Sequence, residues 1–161
     1  MTDANKQTLS LLVVTVILLF FITSCSNKGN FLFNETFPEE GWSKFHKPAF
    51  TASISDTLSV YDISVSLRNT HEYPFRNIFL FITTSSPTGL RIKDTIEYQL
   101  ADDKGKWYGK GLGDLHNLTL AFKTNIIFPE SGDYSFKIEQ GMRKELLPGI
   151  VDVGLIIKQK Q

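Results

Sequence analysis

The stretch 102-DDKGKWYGKGLGDLHN-117 concentrates residue types that could hold a ligand. It carries Gly105, Gly109, Gly111 and Gly113, the lysines Lys104, Lys106 and Lys110, and Trp107. Glycine-rich backbone beside lysine is the chemistry of a phosphate cradle, so nucleotide binding is the first reading to test. A P-loop places four residues between its first glycine and a closing Gly-Lys-Ser/Thr. Here three residues separate Gly105 from Gly109-Lys110-Gly111, and no hydroxyl comes next for a magnesium ion. The dinucleotide fingerprint fails as well, because Gly109-Lys110-Gly111-Leu112-Gly113 closes one residue early. Residues beyond Asp114 read as loop and then strand, so no helix N-terminus would face an anion. The expectation is that the four glycines serve backbone geometry and that no nucleotide binds.

Other chemistry finds little support. His46, His71 and His116 are far apart and show no metal-ligand spacing, and none has a serine or thiol partner that would mark a triad. Asp102-Asp103 lacks the alternating acidic ligands and the distant glutamate of a calcium loop. The acidic residues fall in turns and at strand ends, and the chain leaves little room for a substrate cleft. The sequence therefore reads as a non-enzyme without metal or cofactor. With 17 basic and 17 acidic residues the net charge is zero, which gives no electrostatic pull toward nucleic acid.

What remains is polar and aromatic material in three connecting stretches. The first, 68-RNTHEYPF-75, carries Arg68 and Tyr73; the second is the glycine-rich stretch, with Trp107, Lys110 and Asp114; the third, 140–150, carries Arg143. Loops with tryptophan, arginine and tyrosine on a rigid scaffold are where binding tends to sit. The same residues can be structural: Trp107 as a cover over one end of the fold, Arg68 and Arg143 as partners of nearby acids. Sequence leaves both readings open.

The elements that position these loops are strands. Alternation of apolar and polar residues recurs between turn signals. It marks 31-FLFNETF-37, 49-AFTASIS-55, 60-VYDISVSLRN-69, 77-NIFLFITTSS-86, 91-RIKDTIEYQL-100, 118-LTLAFKTNI-126, 133-DYSFKIEQ-140 and 151-VDVGLIIK-158. In the third, Tyr61, Ile63, Val65 and Leu67 form the face to be buried. Pro87-Thr88-Gly89 and Asp102-Asp103-Lys104-Gly105 suit turns, the latter with Gly105 at positive φ. Residues 140–147, ended by Pro148-Gly149, are the one short helical candidate. The expected fold is all-β, an antiparallel β-sandwich of about eight strands, immunoglobulin-like or jelly-roll-like. The segment 130-ESGDYSF-136 resembles a tyrosine corner, with Tyr134 bonding to upstream backbone and Phe136 in the core.

The first residues are read as a leader. An apolar run from Leu11 to Ile22 has the length of a signal-peptide h-region and ends at Ile22-Thr23-Ser24-Cys25, which resembles a bacterial lipobox. Cys25, the only cysteine, would accept a diacylglycerol and become the mature N-terminus after cleavage. This divides the chain into a signal peptide over 1–24, a lipidated N-terminus, tether and possible first strand over 25–40, and a β-sandwich domain over 41–161. Two or more acyl chains hold a protein stably on a membrane.

Taken together, 67-LRNTHEYPFRNIFL-80, 97-EYQLADDKGKWYGKGLGDL-115 and 132-GDYSFKIEQGMRKELLPGIVDVGLII-157 resemble the gliding-motility lipoprotein GldH family of Bacteroidota. The resemblance extends to Gly41-Trp42 and to the lipobox, and so covers the mature chain. It implies an envelope-anchored lipoprotein, in the outer membrane rather than the inner, that takes part in gliding. It also implies an association with type IX secretion, contacts to other envelope proteins of that machinery, and no catalysis, metal or cofactor. The alternative is a surface lipoprotein that binds a glycan or peptide through Trp107, Tyr108 and Tyr73.

Overall fold

The computed structural model describes residues 30–160, so the expectations for the signal peptide, Cys25 and its tether lie outside the described residues. Ten strands form in chain order: β1 (Asn30–Thr36), β2 (Trp42–Ser43), β3 (Ala49–Ile54), β4 (Tyr61–Asn69), β5 (Asn77–Ser85), β6 (Arg91–Gln99), β7 (His116–Ile126), β8 (Gly132–Gln140), β9 (Leu146–Leu147) and β10 (Ile150–Gln159). One four-stranded sheet has the order β1-β10-β4-β7, the other β3-β8-β5-β6, and β2 pairs with β9 apart from both. Every pairing is antiparallel. The all-β sandwich expected from alternation is therefore present, with the eight expected strands and two short ones added.

Period-two alternation drives this arrangement. In β4, Tyr61, Ile63, Val65 and Leu67 are buried while Asp62, Ser64, Ser66 and Arg68 are not. From the facing sheet, Ile78, Leu80 and Ile82 of β5 and Phe136 and Ile138 of β8 enter the same core. Each such side chain, fully buried, contributes about 1.5–3 kcal/mol. A one-residue slip in β4 would bury its serines and expose this set, so the register is firmly set. The tyrosine corner forms: the Glu130 N–H donates to the Tyr134 hydroxyl at 3.3 Å, and Phe136 is fully buried. The Gly89 turn between β5 and β6 also forms, with Gly89 N–H donating to Ser86 C=O at 3.0 Å and φ +88°.

The expected helix over 140–147 does not form. Gln140 belongs to β8 and is buried, and its side chain organises the next four residues. Its Oε1 accepts the Met142 N–H at 2.9 Å and its Nε2 donates to the Lys144 carbonyl at 2.8 Å. The Gly141 N–H goes to Phe79 C=O across the sheet at 2.7 Å. Backbone groups that a helix would pair internally are thus taken by β5 and by one glutamine.

Connectivity sorts the loops by end. The links β1–β3, β4–β5, β6–β7 and β8–β10 lie at one end of the sandwich. The links β3–β4, β5–β6 and β7–β8 lie at the other, together with Asn30 and Gln159. The three stretches singled out by sequence therefore share one end, and the start of β1 is at the opposite one.

Candidate functional site

At the loop end the 69–76 and 148–150 segments meet through backbone. Thr70 N–H donates to Gly149 C=O at 2.7 Å. Gly149 has φ +73°, and a Cβ there would lie 2.3 Å from the Tyr73 nitrogen, so only glycine lets the two segments approach this closely. Tyr73 is almost fully buried, and its hydroxyl donates to Asn77 C=O at 2.9 Å. Burial pushes this hydroxyl's pKa well above its ordinary value. Its ring lies 5.6 Å from Phe75 and 6.4 Å from Trp107.

Trp107 is half-buried and packs on the edge of the core. One face stacks on His116, with centroids 5.6 Å apart and planes inclined by 27°. Its backbone bridges to Ala101, closing the turn in which the Asp102 carboxylate accepts the N–H groups of Lys104 and Lys106 at 2.9 and 2.8 Å. Gly105 closes that turn at φ +81°. The Asp102–Gly105 turn read from sequence is therefore in place, pinned from outside by Arg76 on Asp103 at 2.9 Å.

The remaining glycines divide by cause. Gly113 has φ +67° and open space around it. Gly111 has no positive φ; a Cβ there would lie 1.8 Å from the Leu115 carbonyl oxygen. Gly109 is also crowded, with the backbone of His116 and Asn117 at 3.0 Å. Close chain approach, rather than left-handed backbone, is what Gly109 and Gly111 provide. The segment is held back onto β7 by Lys110, whose N–H donates to Asn117 C=O at 3.1 Å and whose carbonyl accepts from Asn117 N–H at 3.0 Å.

The candidate side chains sort differently from one another. Arg68 does not face solvent freely: its Nε and Nη2 both donate to Asp152 Oδ2, whose side chain is 3% exposed. Arg68 and Asp152 sit opposite each other on β4 and β10. Asp114 pairs with His71 at 3.5 Å, both exposed. Lys110 and Arg143 are exposed, and neither makes an ion pair among the described residues. Tyr108, Phe45, Leu112 and Leu146 present apolar surface at the same end, Leu112 being 91% exposed. Sequence reading missed Phe45, Leu112, Leu146 and Asp152, since single apolar residues in loops carry no pattern and Asp152 lies 84 residues from its partner. The resulting end mixes cations, exposed acids such as Glu72, Asp103 and Asp114, and apolar side chains, a composition suited to a protein surface. Of the three residues of the aromatic platform, Tyr73 is buried, one face of Trp107 is covered by His116, and Tyr108 is exposed.

The GldH lipoprotein family profile matches residues 31–157. A gliding motility lipoprotein GldH homolog of Christiangramia forsetii is 35% identical over 153 residues, covering 91% of this chain and 93% of that protein. Gliding motility lipoprotein GldH of Flavobacterium johnsoniae is 34% identical over 159 residues, covering 93% and 95%. Among solved structures, one of infectious bursal disease virus, Gx strain, aligns at 11% identity and TM-score 0.37, over 81% of this chain and 32% of that one.

Proposed function

This chain belongs to the GldH lipoprotein family, and from that premise we propose that it is a membrane-anchored envelope lipoprotein serving gliding motility as a non-enzymatic binding component. The anchor is lipid on Cys25, in the outer membrane. The partners are other envelope proteins of the gliding and type IX secretion machinery. The observation that carries the reading is positional: Asn30 starts β1 at one end of the sandwich, and the three loops gather at the other. Five residues from Cys25 to Asn30 span at most about 17 Å. The anchor therefore holds the Asn30 end near the bilayer and turns Lys110, Leu112, Asp114 and Arg143 away from it. Binding is assigned to that surface because its groups are exposed, mixed in character and mounted on a rigid scaffold.

Photo-crosslinking in intact cells that spread on agar tests both halves of this reading. A photoreactive residue at Lys110 or Arg143 should yield an adduct with an envelope protein, and one at Thr88, at the opposite end, should not. Cys25→Ala should remove the lipid and stop spreading. Adducts from Thr88 alone would place the partner surface at the wrong end. A Cys25→Ala protein that still takes up labelled palmitate, in cells that still spread, would refute the anchor.

A further inference from the structure

The Asn30 end carries a feature that the loop surface does not explain. Between the outer strands of the two sheets, β6 and β7, lies an apolar cleft of about 280 Å³. Ile63, Phe122 and Ile126 line it from one sheet, and Thr84, Ile92 and Phe136 from the other. Its volume is near the lower end for small-molecule sites, about 300 Å³. The register between β4 and β7 shifts twice between Tyr61 and Ser64, next to the cleft. Such bulges bend and twist a strand, here where the two sheet edges part. At the mouth, Leu90 and Ile127 are 65% and 53% exposed, and Ile92 is exposed beside them. Leu58, in the neighbouring β3–β4 link, is 89% exposed.

The cleft's position is fixed by the register. Asn30 pairs with Lys158, Lys158 with Asp62, and neighbouring Tyr61 with Ile126. Asn30 and the cleft wall are thus in one row, three strand spacings or about 14 Å apart. The chain before Asn30 leaves from this same end toward Cys25.

We propose that this cleft takes the acyl chain of a lipid from the leaflet that holds the anchor, making the Asn30 end a second membrane contact. The proposal rests on the anchor at Cys25. A tether of at most about 17 Å keeps the cleft at the bilayer surface. The apolar mouth is then covered by lipid instead of water, and membrane contact is one of the roles that such a patch serves. Two of the protein's own acyl chains stay in the bilayer for stable anchoring, and a further one in the cleft is the competing outcome of the test. A carboxylate stands on the mostly apolar wall. Asp94 lies on the cleft wall, its Oδ1 held by Lys123 at 2.9 Å, while its buried Oδ2 has no partner among the described residues.

The test uses the full-length lipoprotein in phosphatidylethanolamine vesicles doped with a phospholipid that carries a diazirine at mid-chain. After irradiation, lipid adducts should map to residues 86–94 and 122–130. Leu90→Glu with Ile92→Glu should lower that labelling at least about tenfold, since charge at the mouth opposes entry of a hydrocarbon chain. Both sites are exposed, so an unchanged melting temperature is expected and is measured alongside. Adducts confined to the N-terminal peptide, labelling unaffected by the double variant, or a cleft filled by the protein's own chain would overturn the proposal. Palmitate labelling reads the anchor separately: a Cys25→Ala protein that still takes up palmitate refutes the anchor, while the lipid adducts of the parent still decide the cleft.

Discussion

Replacing Arg68 with methionine removes the cation from a carboxylate that has almost no water around it. Asp152 is 3% exposed, and Arg68 supplies both hydrogen bonds to its Oδ2. Breaking a buried ion pair from one side costs about 3–5 kcal/mol, because the remaining charge is left uncompensated. Arg68 itself is 40% exposed, so water can partly replace it. The expected cost is therefore about 2–4 kcal/mol. For a domain of this size that lowers the melting temperature by about 8–14 °C, read by circular dichroism. Pairing Arg68→Met with Asp152→Asn should recover most of the loss, since a neutral pair leaves no buried charge. A cost below about 0.5 kcal/mol for the single variant would refute this account of the pair. The double variant also separates structure from binding. If stability and spreading both return, Arg68 serves the fold; if stability returns and spreading does not, Arg68 contacts a partner.

Glu139 lies among Lys47, Lys137 and Lys93 at 2.7, 3.3 and 3.9 Å, and the hydrogen bond from Lys47 is the main cause of a pKa below its ordinary value. An acid whose folded pKa is lowered stabilises the fold above its unfolded pKa and loses that contribution as pH falls. Glu139→Gln should cost about 1–2 kcal/mol at neutral pH, with the deficit shrinking below about pH 4.5 in urea titrations; a pH-independent deficit would contradict the cause given. Gly111→Ala should cost roughly 1–3 kcal/mol, because the loop must move off the Leu115 carbonyl. Gly113→Asn should cost under about 1 kcal/mol, since asparagine tolerates left-handed backbone. Equal losses at the two sites, read from chemical denaturation, would mean that one cause serves both glycines.

The sandwich was legible because alternation is local: Ile63, Val65 and Leu67 declare a buried face from their spacing alone. The strands Trp42–Ser43 and Leu146–Leu147 are too short for any period to show. The 140–147 segment misled because its helix-like composition says nothing of what the Gln140 amide will bind. At the loop end, the glycines announced tight backbone, but not that Gly111 needs room where Gly113 needs φ. Arg68 and Tyr73 stood out by type, and pairing across strands decided their roles. Asp152 reaches Arg68, and Asn77 receives the Tyr73 hydroxyl, only once the sheets form. The contrast between the two ends of the molecule came from strand connectivity, which no single segment encodes.

The final strand, Ile150–Gln159, lies between β1 and β4 and hydrogen-bonds to both. Among the described residues β1 has no other strand neighbour in its sheet, so this first strand waits for the last residues of the chain. Pairing across such a separation carries a loop-closure cost that local contacts cannot offset, which slows folding. In a chain emerging N-terminus first, β1 would remain unpaired until the C-terminus has appeared. For an exported protein this order couples the pairing of its first strand, and so completion of the sandwich, to completion of synthesis. Loss of only the last ten residues would leave β1 without a partner and β4 with one open edge, so C-terminal truncation would act as a folding defect and expose sheet edges prone to aggregation.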